Sequence, residues 1–446
     1  MVELYSHQET ALNLLRLNDG FALFMEQGTG KSFPVLFRLA ELAERGLIRS
    51  ALVVAPKAVC ESWRQKVGLL SDAQRAALES VGMEVASYDI VWRRERYGDG
   101  TFDAVVLDES HYVKSPSAKR SHACIALCSR ARYRYILTGT PTSNGQLCNI
   151  WSQFACIDPV VVRGRVYPGC LGGDSYYKWI DRVAYLNQWH QPYKYRNVDE
   201  LQGVIAEHSY RITKAECLEL PEKLPDQVLD VELDPKARKP YADMMKSSAI
   251  LELDTLAGNA LTRALRLRQL ASGFIDTDSG ERVEYPCRKL SALEGLLSDF
   301  EGKVVVFCDF RHSIDAVEAL LAKMGMNPVT LDGRQADKGV WKRFQSDPGV
   351  RAIVCQYKTA SVGIDLFAAD TIVFYEPTLS SNENEQAKDR IHRPGQHRPC
   401  SYYYLITKGT IEEGIYRALC DYRDFEKALF TRYITEYEKG RRLNER

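Results

Sequence analysis

Residues 21–32 read FALFMEQGTGKS, and the remainder of the chain is placed by what this stretch demands. Phe21 to Met25 is a short apolar run without alternation, the pattern of a strand covered on both faces. Gly28, Gly30, Lys31 and Ser32 follow at once. The glycines let successive backbone N–H groups point into one concavity, and the helix expected over FPVLFRLAELAERG turns its positive N-terminal end toward it. Lys31 can reach terminal phosphates and the Ser32 hydroxyl can ligate magnesium. The full pattern G-x-x-x-x-G-K-[ST] wants glycine where Met25 stands, so the assignment rests on the strand before the loop and the amphipathic segment after it.

At 446 residues the chain has room for two lobes of similar size. Hydrophobic residues make up 45% and charged residues 26%, ordinary for a globular protein, and no apolar run approaches the ~18 residues that cross a membrane. The start, MVELYSHQETALNLL, lacks a basic segment followed by an apolar one, so the chain is read as intracellular with no membrane partner. Twelve cysteines are scattered without a C-x-x-C pair and are expected to be mostly buried small apolar residues. With 59 basic and 59 acidic residues the formal charge is zero, so nucleic-acid binding would need a local groove and would be modest and salt-sensitive.

Ahead of the loop, LYSHQETALNLL predicts a helix from about Ser6 or His7, with Tyr5 and Gln8 just upstream of the phosphates; a glutamine amide can pair with an adenine edge, or simply start a helix. ALVVAPKAVCESW predicts a buried strand over 51–55 and a helix carrying Trp63. FDAVVLDESHYVK predicts another buried strand ending in Asp108 and Glu109, where one carboxylate can hold magnesium and the other can orient an attacking water. RYRYILTGTP follows, with Thr138 placed to sense the acidic pair. Residues 163–200, rich in Tyr, Trp and Gly, read as an insertion whose aromatics, among Lys178, Lys194 and Arg196, either flank nucleic acid or form a small core.

Leu224 and Pro225, followed by DQVLDVELDPKARKPY, read as a connection into a second unit, with helices through 235–272. A second set of strands then appears at 303–310, 327–333, 351–357, 371–377 and 401–407, separated by helical stretches. In QAKDRIHRPGQ, Gln386, Arg390 and Arg393 at spacings of four and three would share one helix face, where two arginines could neutralise charge on a transferred phosphoryl group.

In order, MEQGTGKS, LVVAPKAV, DESH, LTGTP with the later NIW, KVVVFCDFRHS, KTASVGIDL and QAKDRIHRPGQ resemble motifs I, Ia, II, III, IV, V and VI of superfamily-two helicase-like ATPases, specifically the Swi/Snf-type DNA translocases. The HRPGQ ending discriminates most. The resemblance implies an α/β fold of two tandem RecA-like lobes: 1–157 as the ATP-binding lobe, 158–226 as an insertion completing it, and 227–446 as the C-terminal lobe. It implies ATP and Mg²⁺ as cofactors, held by Tyr5, Gln8, Gln27, Gly28, Thr29, Gly30, Lys31, Ser32, Gly363 and Asp365, with Ser32 and Asp108 on the metal. Catalysis would fall to Lys31, Asp108, Glu109, Gln386 and the arginine fingers Arg390 and Arg393. A DNA groove would take in Lys57, Tyr88, Lys114, Thr138, Arg311 and Lys358, mostly on phosphates and so with little sequence preference. Ala360, Ser361 and Asp365 depart from the usual motif V and, with DESH, lean toward the annealing-helicase branch.

The expected activity is ATP-driven movement of a monomer along double-stranded DNA without strand separation, ATP lying between the lobes, with room for a recruiting protein partner. A strand-separating DNA or RNA helicase, or a non-catalytic DNA-binding scaffold, are the alternatives.

Overall fold

The computed structural model describes residues 2–425 except 58, 95–96, 98–100, 143–145, 254, 335–338 and 361–363. The chain divides into two units, 1–219 and 220–446.

In the first unit six strands lie side by side in the order Ser209–Ile212, Gly20–Met25, Tyr133–Leu137, Ala104–Asp108, Ala51–Ala55 and Glu84–Ser87, every neighbouring pair parallel. The three strands over 51–55, 104–108 and 20–25 are buried almost throughout, which is why they carry runs of Val, Leu, Ala and Phe instead of an alternating pattern. Register sets the carboxyl ends together: Asp108 stands opposite Leu137, and Leu23 opposite Leu137 on the other side. Ligands of open parallel sheets gather at that edge.

The aromatic stretch after residue 157 forms two hairpins, Pro159–Val162 with Arg165–Pro168 and Ala184–Leu186 with Pro192–Tyr195, plus the helix Tyr176–Val183. It joins the core of the first unit: Trp179 and Ile180 are buried in the cluster that holds Phe24 and Phe154, and Trp151 of the preceding helix meets Tyr167 and Tyr176 edge-on at 6.4 and 5.8 Å. Lys178 is paired with Asp174 and Arg196 lies 4.0 Å over the Tyr185 ring. Tyr177, Trp189 and Tyr193 stay exposed.

The second unit repeats the plan, with parallel strands in the order Gln227–Val231, Ser401–Thr407, Thr371–Phe374, Val304–Cys308, Ala352–Gln356 and Val329–Leu331. Both sheets fit the tandem RecA-like arrangement. The segment read as a connection is here an edge strand, Gln227–Val231, paired along its length with Tyr403–Thr407. Lys223 already bridges to Cys400, and Asp226 binds Lys388, so residues 220–226 sit with the second unit. The helices expected through 235–272 are two, Pro235–Ser247 and Ala260–Ala271, parted by a short hairpin at Ala249–Leu256. Ser248 at φ 58 turns the chain out of the first helix.

Among the described residues no helix is long and apolar enough to cross a membrane.

Candidate active site

The loop after Met25 is shaped by its glycines and by one glutamine. Gly28 and Gly30 take φ 86 and 77, where a side chain is strained, and a Cβ on Gly30 would come within 2.2 Å of Gln8 Nε2. Gln8, from the helix Ser6–Leu17, is buried; its Nε2 donates to the Thr29 carbonyl at 3.0 Å, and its Oε1 accepts the Tyr5 N–H at 3.0 Å. In this structure the amide buckles the helix to the loop. Tyr5 is exposed and stacks on His7 at 5.8 Å, and His7 Nε2 donates to the same Thr29 carbonyl at 2.8 Å. Thr29 Oγ1 donates to Glu26 O at 2.7 Å, while Gln27 Oε1 is buried with no partner, an acceptor facing a site that a ligand or water would complete.

Lys31 closes the loop and Ser32 opens the helix Ser32–Glu44. Across the sheet edge, Lys31 Nζ lies 3.8 Å from Glu109 Oε1. Glu109 is held in the left-handed region at φ 52, directly after the strand, a strained setting for a residue with a side chain. Its Oε2 accepts Thr138 Oγ1 at 3.4 Å and stands 3.3 Å from His111 Nδ1, which in turn is 3.1 Å from Thr138 Oγ1. Asp108 lies deeper. Trp63 Nε1 donates to its Oδ2 at 2.7 Å and the Glu109 N–H to its Oδ1 at 3.0 Å. Burial first, then the Glu109 charge, push the Asp108 carboxyl up from its ordinary range, while Lys31, Trp63 and Lys66 pull it back. Each Asp108 oxygen retains a lone pair, so with the Ser32 hydroxyl it makes a hard oxygen set that fits magnesium.

Trp63, Lys66 and His111 had no role in the sequence reading. Lys66 Nζ donates to Ser32 Oγ at 2.7 Å, setting an ammonium on the hydroxyl expected to hold the metal. Only His111 had a local signal, as the last letter of DESH; Trp63 and Lys66 reach the site from the next strand's helix.

Two residues expected in a DNA groove, Tyr88 and Thr138, are buried beside the acid pair, where Thr138 was also expected to sense it. Tyr88 is buried, donates its hydroxyl to the Asp108 carbonyl at 2.8 Å and stacks on Tyr112 at 5.3 Å. Thr138 is fully buried against Glu109. Neither can meet a phosphate without leaving its partner. Lys57, Arg311 and Lys358 are exposed, and Lys114 is partly so.

In the second unit the expected shared helix face of Gln386, Arg390 and Arg393 is not formed. The helix Ser381–Lys388 carries Gln386 and stops two residues before Arg390. Arg390 N bonds Ala387 O at 3.1 Å, tightening the last turn; Arg393 precedes Pro394, and Gly395 takes φ 100, which turns the chain away. The two arginines still converge: Arg390 Nη1 and Arg393 Nη1 donate to one carbonyl, that of Ile364, at 3.2 and 2.9 Å. Asp365, expected at the cofactor, is paired with Arg393. Gly363 lies outside the described residues. Gln396 of HRPGQ ties this turn down, donating to Ala369 O at 2.7 Å and accepting His397 N–H at 3.0 Å, while His392 Nε2 donates to Pro221 O at 2.8 Å.

Comparison with known proteins places these features in a family. Residues 69–272 match the SNF2-related domain and residues 288–395 the helicase conserved C-terminal domain. The first match begins downstream of the phosphate loop, so Lys31 and Ser32 stand on their own sequence and geometry. An uncharacterized ATP-dependent helicase of Mycoplasma pneumoniae is 26% identical over 89% of this chain and 39% of its own length. The TATA-binding protein-associated factor 172 of Homo sapiens is 28% identical over 74% of this chain and 21% of its own. The chain thus spans two fifths or less of these relatives. A solved structure, the Sulfolobus solfataricus SWI2/SNF2 ATPase core in complex with dsDNA, is 22% identical over 96% of this chain and 92% of that one, with a TM-score of 0.44.

Proposed function

We propose, from the premise that this chain is a Swi/Snf-type, helicase-like ATPase, that it hydrolyses ATP with Mg²⁺ and uses the cycle to move along double-stranded DNA without separating the strands. The observation that carries the hydrolase reading is the approach of Lys31 to Glu109 at 3.8 Å with Asp108 buried behind them. A cation that can meet the terminal phosphates, a carboxylate that can orient water and a second carboxylate for the metal are the parts that phosphoryl transfer requires. Glu109 takes the water-orienting role: Thr138 and His111 fix the direction of its Oε2, leaving Oε1 toward Lys31. Ser32 and Asp108 would hold magnesium, which would supply charge neutralisation at the phosphate oxygens. Arg390 and Arg393, which converge on the Ile364 carbonyl, are proposed as the arginine fingers on the family resemblance alone.

Duplex DNA is proposed on the family and on the kinds of work its relatives' names carry, among them a TATA-binding protein-associated factor and the DNA excision repair protein CSB of Oryza sativa. Exposed Lys57, Arg311 and Lys358, with Lys114, supply the phosphate contacts.

The test is steady-state ATP hydrolysis by the chain and by Lys31→Ala with no nucleic acid, with single strands and with blunt duplex. Duplex is expected to stimulate most, and Lys31→Ala to lower turnover by on the order of 10²–10³, the usual loss when one preorganised charge-stabilising donor is removed. Stimulation by single strands alone would replace the duplex reading with a strand-separating helicase. Absence of turnover in all conditions would leave a scaffold.

A further inference from the structure

At the opposite edge of the first sheet, three side chains from distant parts of the sequence come together. Asp158 ends the helix Ile150–Ile157, Cys170 sits in the short turn Gly169–Leu171, and His208 leads into the edge strand Ser209–Ile212. Each offers one ligand atom, and the three atoms lie within 4.8 Å of one another. The cluster is at the amino ends of the strands, so the length of Gly20–Met25, roughly 20 Å at ~3.3 Å per residue, separates it from the phosphate loop.

The local structure prepares each group. The hairpin Pro159–Val162 with Arg165–Pro168 pairs Pro159 to Pro168, which carries Asp158 and the turn after Pro168 to the same place. The Gly169 N–H donates to the Asp158 carbonyl at 2.8 Å, and a Cβ on Gly169 would meet Asp158 Oδ2 at 2.7 Å, so glycine leaves the carboxylate its room. His208 Nδ1 is 3.0 Å from the Val204 carbonyl. A carbonyl only accepts, so Nδ1 carries the proton and Nε2 keeps its lone pair, the arrangement that metal-binding imidazoles have when a backbone oxygen orients them. The His208 carbonyl accepts from Ala22 N–H at 3.0 Å and so anchors this residue to the first strand.

We propose that Asp158, Cys170 and His208 form a divalent-metal site that binds zinc through a carboxylate oxygen, a thiolate and Nε2, with water in the fourth position. Thiolate and imidazole together select a borderline-soft ion such as Zn²⁺ over Mg²⁺ or Ca²⁺. Tetrahedral bonds of about 2.0–2.3 Å put ligand atoms roughly 3.3–3.7 Å apart, so closure requires shifts of about an ångström. Binding takes one proton from the Cys170 thiol to solvent and forms the metal–sulfur bond, with no oxidation or reduction. The metal then clips the hairpin insertion and the edge strand to the end of the helix that packs beneath the sheet.

Cobalt reports the site. The full chain, stripped of metal with chelator, is titrated with Co²⁺ and the thiolate-to-cobalt absorption band in the near ultraviolet is followed, then Zn²⁺ is added to displace it. One band saturating at one equivalent, lost on adding Zn²⁺, is expected, together with a higher melting temperature in Zn²⁺ than in chelator. Cys170→Ser removes the band, His208→Gln, which takes away a direct ligand, weakens cobalt binding by at least the roughly 10–100-fold that loss of an outer-shell partner costs, and Cys217→Ser, outside the cluster, leaves both unchanged. His208→Gln keeps the thiol and covers the case in which Cys170→Ser does not fold. No band in the parent chain, or a band that survives Cys170→Ser or is as tight in His208→Gln, overturns the site.

Discussion

Lys66 poses the sharpest question at the level of single residues. Its ammonium donates to the Ser32 hydroxyl at 2.7 Å, lies 5.9 Å from the Trp63 ring centre and is among the charges that lower the Asp108 carboxyl. A magnesium ion on the same hydroxyl would face that ammonium across a few ångströms. Unit charges 4 Å apart repel by about 4 kcal/mol at an effective dielectric of 20, and a dication doubles this, so Lys66 has to swing away before the metal can settle. Replacing it with methionine keeps the aliphatic stem and deletes the charge. Lys66→Met is therefore expected to bind a fluorescent ATP analogue at a several-fold lower magnesium midpoint than the parent chain. Equal midpoints would show that the ammonium does not oppose the metal.

Among the elements, the second unit depends on an ion pair that no water reaches. Lys289, in the helix Arg288–Leu297, donates to Glu412 Oε1 at 2.6 Å and to the Tyr375 carbonyl at 2.9 Å, both charged side chains being 1% exposed. Glu412 lies in the first turn of the helix Ile411–Cys420, and its Oε2 also accepts the Thr407 N–H at 2.9 Å. Two helices and the ends of two strands thus meet in one polar knot. Such a pair adds little over a well-packed apolar replacement, but removing one member strands the other charge in the core. Glu412→Ala should cost about 3–5 kcal/mol in urea unfolding of the second unit. The double change Lys289→Met with Glu412→Leu should recover most of it. A single substitution that costs under about 1 kcal/mol would mean that water enters to solvate Lys289.

For the molecule as a whole, the consequence is where the chain can be cut. The strand Ser209–Ile212 covers the outer edge of Gly20–Met25, with Ala22 opposite Ser209 and Met25 opposite Ile212. A fragment ending at 157 loses that cover and exposes the backbone of the strand that carries the phosphate loop, a template for aggregation. The fragment 1–219 keeps all six strands. It is expected to be soluble with a single cooperative melt, while 1–157 aggregates or melts without cooperativity. A cooperative melt in 1–157 would make the later strand dispensable.

What the sequence determined by itself is local in origin. Phe21–Met25 and Ala104–Leu107 are apolar throughout because both faces of a parallel strand are covered, Gly28 and Gly30 come three and five residues after the first strand ends, and Asp108 closes the other strand with Glu109 next to it, so loop, acid pair and sheet type could be read together. Order and spacing of the motifs carried the family. Tertiary structure alone decided the rest, because those contacts join positions with no sequence relation. It brought Trp63 and Lys66 onto Asp108 and Ser32, and buried Tyr88, which the family resemblance had put in a DNA groove, against the Asp108 carbonyl. The spacing of Arg390 and Arg393 suggested a helix face, but Pro394 and Gly395 end that possibility locally, and the arginines meet through the Ile364 carbonyl instead. Asp158, Cys170 and His208 carry no motif at all; they are neighbours only because a hairpin and a returning edge strand close on the end of one helix.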